Sequence, residues 1–217
     1  MWTLLHHGFG LVCGQNPGHT WAPGGLELPC CQRCTGLYAG VCSATLLHLW
    51  LRPKCTGRFL EVHGAFLLLM TPFGFHWLPQ GPTVRALTGV LFGFGLVAFL
   101  ALSMVARGQS SQESPPPGPL PIGWRAGATP VGRLLVNPIP WPWGYALGLA
   151  LALVLVPWSA AQGGRWAAFT LSGLALGGAL ALGVLVLANT LLALRGALHL
   201  VRRLLQACPL LRNQSKG

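Results

Sequence analysis

Acidic side chains are nearly missing from this chain. It has no aspartate, and its only glutamates are Glu27, Glu61 and Glu113. Chemistry that runs on paired carboxylates, such as glycoside hydrolysis or two-metal hydrolysis, has almost nothing to work with. Charge of either sign is scarce: 8% of residues are charged, against about 25% in a soluble domain. That excludes an ordinary water-facing globule. A hydrophobic content of 53% excludes disorder. No phosphate loop, Gly-x-Ser-x-Gly elbow or Ser-His-Asp set occurs. The first residues lack a basic n-region and a small-x-small cleavage site, so residues 1–34 are expected to stay on the chain rather than leave as a signal peptide.

What the chain does have is long apolar runs, at 35–51, 62–78, 86–105, 143–161 and 166–194. A helical span needs about 20 residues, with a range near 17–25, so the first two are short and the last is long enough to tilt or project beyond the lipid. The expectation is an all-α polytopic helix bundle with about five spans. The formal net charge of +11 fits this class, because Lys and Arg are placed by topology. Eleven basic residues follow the first, third and fifth runs, against Arg33, Arg85 and Arg165 in the opposite loops. By the positive-inside rule the N-terminus lies outside and the C-terminus in the cytoplasm, which suits a multi-pass protein of the cytoplasmic (inner) membrane. The basic balance therefore reads as topology, and nucleic-acid binding is not expected.

The organisation follows from the same pattern. Residues 1–34 form an extracytoplasmic Cys/His-rich segment, 35–105 a three-span half and 143–196 a two-span half. Between the halves, 106–142 is a proline-rich cytoplasmic linker of semi-rigid, polyproline-type composition. The tail, 197–217, is basic and amphipathic and is expected to lie at the inner membrane surface. Four spans carry Gly-xxx-Gly pairs: Gly36/Gly40, Gly89/Gly93, Gly144/Gly148 and Gly173/Gly177. Small residues one turn apart let helix backbones approach closely in lipid. Internal packing is the plainer reading and contact with partner subunits the sharper one. Arg33-x-Thr35-Gly36 and Arg85-x-x-Thr88-Gly89 echo each other at the starts of two spans that run the same way.

Four of the seven cysteines and three of the seven histidines fall within residues 1–34. Cys31 and Cys34 form a Cys-x-x-Cys immediately before a helix. Three readings stand open. The pair can offer two thiolates to one metal ion, with His6 or His7 as further ligands and Cys13 or Cys30 available to complete four. An oxidising compartment favours disulfides. A helix N-terminus beside Arg33 lowers a thiol pKa and suits a thiol–disulfide oxidoreductase. A c-type haem site is excluded, because Thr35 rather than histidine follows the second cysteine. His48, His63, His76 and His199 lie in or near the spans, where they could ligate haem or a chlorophyll magnesium. The alternative places them at the interfaces beside Trp50 and Trp77. Arg33 and Arg85 either snorkel to lipid headgroups or act structurally, with Arg33 pairing with Glu27 to fix the cysteine turn.

The run Leu28-Pro29-Cys30-Cys31-Gln32-Arg33-Cys34-Thr35-Gly36-Leu37-Tyr38-Ala39-Gly40 resembles the LPxCxRCTGxYxG signature of a family of uncharacterised multi-span prokaryotic membrane proteins, known only as a domain of unknown function. Arg85-Ala86-Leu87-Thr88-Gly89-Val90-Leu91-Phe92-Gly93 resembles the same family's RxxTGxxxG element. The resemblance spans about residues 5–105 and implies a membrane bundle with Arg33, Gly36, Gly40, Arg85, Gly89 and Gly93 as structural positions. Where the family has Cys-His-Gln near its start, this chain has His6-His7-Gly8. Where the family has Asp-Gly in the second span, it has Phe73-Gly74. A Cys-to-His exchange would destroy a disulfide but suits zinc, which accepts thiolate and imidazole alike. A short Gly- and Pro-rich segment also needs a staple. The expected function is a structural or accessory subunit of a larger membrane complex, with lipids and other membrane subunits as partners and a closed zinc site. A thiol–disulfide oxidoreductase and a pigment- or haem-binding subunit are the alternatives.

Overall fold

Long apolar stretches without charge satisfy their backbone groups internally as helices, and every extended element described here is one. The computed structural model describes residues 2–53, 56–75, 77–110 and 141–207, with side chains described outside 103–110 and 200–207. Six α-helices follow in order: α1 (Trp2–Gly10), α2 (Gln32–Leu51), α3 (Gly57–Gly74), α4 (Pro82–Ser110), α5 (Trp141–Gln162) and α6 (Arg165–Ala207). Two short 3-10 turns, Pro17–His19 and Pro23–Gly25, fall between α1 and α2. The histidine His76 and most of the proline-rich linker lie outside the described residues.

Four segments are long and apolar enough to cross a membrane: α2, Pro82–Leu102 of α4, α5, and Arg165–His199 of α6. The second run expected as a span falls in α3, which is not among them. α3 has only 18 residues, and these include Arg58, Glu61 and His63 toward its start and Pro72 near its end. It still packs along α4, where the space beside Gly95 is taken by Leu67 and the His63 carbonyl. No break separates 166–194 from the basic tail, and α6 runs on to Ala207. Ala, Leu and Arg are strong helix formers, and no proline stands before Pro209 to stop them.

α2 and α4 make the closest seam of the bundle, and glycine is the reason. A Cβ at Gly40 would sit 2.5 Å from the Val90 carbonyl oxygen, and one at Gly93 2.5 Å from the Leu37 carbonyl oxygen. Gly36 abuts Ala86, and Gly89 abuts the Arg33 carbonyl. The numbering rises together on both helices, so they run parallel, each backbone lying in the other's glycine groove. Gly148 receives Leu47, and Gly178, rather than Gly173, receives the Tyr38 backbone of α2. These contacts are internal packing. Phe94, Val41, Val90 and Val97 are fully buried along α2 and α4. α5 and α6 instead turn many apolar side chains outward, among them Leu147, Leu151, Leu180 and Leu187.

The span histidines close around one tyrosine. The His63 Nδ1–H donates to the Phe59 carbonyl at 2.7 Å, which leaves Nε2 to accept from the Tyr145 hydroxyl at 2.9 Å. His48 donates through Nδ1 to the Ala44 carbonyl at 2.8 Å, and its ring lies 5.5 Å from that of Tyr145. Carbonyl oxygens only accept, so this geometry assigns both Nδ1 atoms as protonated. With both of its nitrogens engaged, His63 has none to offer a haem or pigment metal. His63 is buried in the bundle, His48 is part-buried with its Nε2 unpartnered among the described residues, and His199 is exposed on α6.

Candidate metal centre

The segment before α2 is short of regular structure, so its position depends on individual contacts. α1 ends at Gly10, and the chain turns so that the Val12 and Cys13 N–H groups both donate to the Phe9 carbonyl. Gln15, in the left-handed region at φ 42, reverses the direction. Its side-chain amide then donates to the His6 carbonyl at 2.6 Å and the Pro29 carbonyl at 2.8 Å, tying α1 to the strand of chain that leads into α2. Farther along, Leu28 N–H donates to the Trp21 carbonyl at 2.8 Å. Gly24, at φ 61, lies against the Gly164–Arg165 backbone at the turn between α5 and α6, where a side chain has no room.

These constraints bring Cys13 to the start of α2. The Sγ atoms of Cys13, Cys31 and Cys34 all lie within 4.8 Å of one another. Cys31 is the N-cap of α2, and its N–H donates to Cys13 Sγ at 3.3 Å. Hydrogen bonds from the side chains of Cys31 and Cys34 hold the Cys13 thiol far below its ordinary value. Tetrahedral zinc with Zn–S near 2.3 Å places sulfurs about 3.8 Å apart, so the cluster needs only about an ångström of adjustment to close on an ion.

Cys30 does not join the cluster. The Thr35 hydroxyl donates to the Cys30 carbonyl at 3.3 Å, and Cys30 Sγ sits 3.4 Å from that same hydroxyl. Burial pushes its thiol up to about 12, so it is held neutral. The two histidines expected as ligands are not brought to the sulfurs either. The His6 ring hydrogen-bonds the Glu27 carbonyl at 3.3 Å and packs on Trp2, while His7 is exposed on α1. The reason is geometric: α1 is a helix along α6, and its side chains project from that helix rather than from the turn that carries Cys13. Arg33 does not pair with Glu27. Its guanidinium donates to the Phe73 carbonyl at 2.8 Å and to Gln80 Oε1 at 2.9 Å, which joins the start of α2 to the end of α3. Arg85, in the first turn of α4, reaches Gln32 Oε1 at 3.5 Å.

The cluster and the glycine seam together mark out one stretch of chain. Residues 13–99 match the family described as "Predicted membrane protein (DUF2085)". The match covers about two fifths of the chain and supports an uncharacterised membrane-protein family for that region. It begins at Cys13 and takes in Cys31, Cys34, Arg33, Arg85 and both glycine pairs of the α2–α4 seam, while His6 and His7 lie outside it. No curated protein and no solved structure matches the chain. The residue that sequence reasoning ranked too low is Cys13. Its signal was present in Cys13-Gly14-Gln15, a thiol followed by a turn and a polar clamp. His19 was not weighed at all, yet it lines the cavity beside the cysteines.

Proposed function

We propose that this protein is a non-enzymatic multi-pass membrane protein in which one zinc ion on Cys13, Cys31 and Cys34 pins the N-terminal segment to the helix bundle. The observation that carries this reading is the convergence of three sulfurs from two separate segments within 4.8 Å. A disulfide would use two of them and strand the third beside it, whereas a divalent ion uses all three and offsets most of the charge of their thiolates. The accessory role rests on the outward faces of α5 and α6. They present hydrocarbon to lipid or to other membrane subunits, and ionisable groups that could drive chemistry are few. Elemental analysis of the purified chain tests the centre: about one zinc per chain is expected, lost in Cys13→Ser, Cys31→Ser and Cys34→Ser variants. A metal-free chain whose Cys31 and Cys34 are joined by mass would refute it. Native mass analysis after mild extraction tests the accessory role, and a monomer with no co-purifying subunit counts against it.

One observation favours a second reading. Cys31 and Cys34 sit on the first turn of a helix with the Cys13 sulfur in reach, which is the arrangement of a thiol–disulfide exchanger with a third participating thiol. Trapping of thiols in cells separates the two readings, because exchange demands a Cys31–Cys34 pair that cycles between oxidised and reduced forms.

A further inference from the structure

Beside the thiol cluster lies a cavity of about 250 Å³ whose walls include Gly14, His19, Cys31, Cys34, Arg33 and Arg85. Two features of it bear on what it holds. The first is charge. Two arginines line it, and neither makes an ion pair among the described residues. The partners of Arg33 are a carbonyl and Gln80, the partner of Arg85 is Gln32, and Arg33 Nε is buried with no hydrogen-bond partner. Glu27 and Glu61 are exposed and bond to neither arginine. Three thiolates on a divalent ion carry one net negative charge, so the two arginines leave the site one positive charge in excess. Both side chains are part-exposed, and an oxyanion accepting from the unpartnered Arg33 Nε–H would offset that excess.

The second feature is coordination. Zinc takes four ligands in closed structural sites and three protein ligands plus an exchangeable one in open sites. The chain brings three sulfurs together; Cys30, His6 and His19 stand outside that group. Next to Cys13, a Cβ built on Gly14 meets no atom within 4 Å, so the space beside the cluster is open.

We propose that the metal centre is open rather than closed, and that its fourth position takes a small oxygen-donor anion, a carboxylate or phosphate, held between Arg33 and Arg85. This rests on the metal reading given above. The anion could be free in solution or carried on a lipid headgroup, and both supply the same donor.

Cobalt substituted for zinc in the full-length, detergent-solubilised chain gives the readout, because its visible bands report each change of ligand. Saturable band shifts are expected on titration with acetate or inorganic phosphate. A parallel titration with phosphatidylglycerol in mixed micelles shows whether a headgroup supplies the donor. Arg85→Gln is expected to weaken the response about tenfold or more without lowering cobalt stoichiometry. Arg33→Lys serves as a second variant that keeps the charge while changing the fork of donors. Gly14→His places an imidazole beside Cys13, and is expected to change the bands and abolish the anion response. Normal cobalt bands that no anion or lipid moves would overturn the open site and leave the structural metal in place. An anion response undiminished in Arg85→Gln would also overturn it, since the arginines would then hold nothing. Absence of any cobalt–thiolate band would overturn this proposal and the metal reading together.

Discussion

Replacing Gly89 by alanine tests whether the glycine seam positions the metal centre. The new Cβ meets the Arg33 carbonyl and lies 2.8 Å from Leu37 N, where ordinary contact begins at 3.4 Å. Both obstructing groups are backbone atoms of α2 and cannot swing aside, so the start of α2 must retreat by about 0.6 Å or more. Cys34 is the residue next to Arg33 and moves with it. Metal–ligand distances tolerate only about ±0.2 Å. Overpacking of this kind costs about 1–3 kcal/mol. If releasing the ion relieves the strain, zinc affinity falls about tenfold to a hundredfold at 1.4 kcal/mol per decade. Gly173→Ala is the control, because nothing lies within 4 Å of its Cβ. In that open setting alanine is favoured over glycine by about 0.5–1 kcal/mol. Chelator competition in detergent measures the affinity, and thermal unfolding of the same samples measures the stability. If Gly89→Ala shows the same zinc affinity and melting temperature as Gly173→Ala, the seam does not set the geometry of the cluster and the reasoning fails.

Further outcomes follow from the same geometry. Serine at Cys13, Cys31 or Cys34 removes the zinc, whereas serine at Cys30 or Cys42 leaves the stoichiometry unchanged; elemental analysis distinguishes the two groups. Alanine at His6 or His7 keeps the zinc, and loss of metal in either would return histidine to the ligand set. Tyr145→Phe leaves His63 Nε2 without its donor in the bundle core and lowers stability by about 1–3 kcal/mol, read from denaturation in mixed micelles. Cys30 has a folded pKa near 12 against 9.0 for the free thiol. Keeping it neutral therefore contributes stability that is full below about pH 9 and lost as pH rises through about 12. At mildly alkaline pH Cys30 resists alkylation in the folded chain and labels fully after unfolding, which mass mapping reads directly.

Much of the architecture was legible in the sequence. Four candidate spans announce themselves because a run of apolar residues in lipid has no alternative to helix. Gly-xxx-Gly pairs marked four helices for close approach, and the structure sets Gly36/Gly40 against Gly89/Gly93. The Cys-x-x-Cys was visible as half of a site, since two thiols on one turn need no long-range information. Where the reading fell short, the deciding quantity was long-range or graded. α3 differs from a span by a few charged residues near one end, a margin that a count of apolar residues blurs.

The site itself was divided between sequence and tertiary structure. Composition left paired-carboxylate chemistry almost nothing to work with, because Glu27, Glu61 and Glu113 are the only acidic side chains. Residue type and local spacing named Cys31 and Cys34. Selecting Cys13 over His6 and His7 required the turn at Gln15 and its amide clamp on the His6 and Pro29 carbonyls, contacts that join residues 9 and 14 positions apart. Placing Arg33 against Phe73 and Gln80 rather than on Glu27 required partners 40 and 47 positions away. Local patterns follow from the preferences of neighbouring residues. Which thiols meet depends on long-range contacts, the Gln15 clamp on the His6 and Pro29 carbonyls first among them.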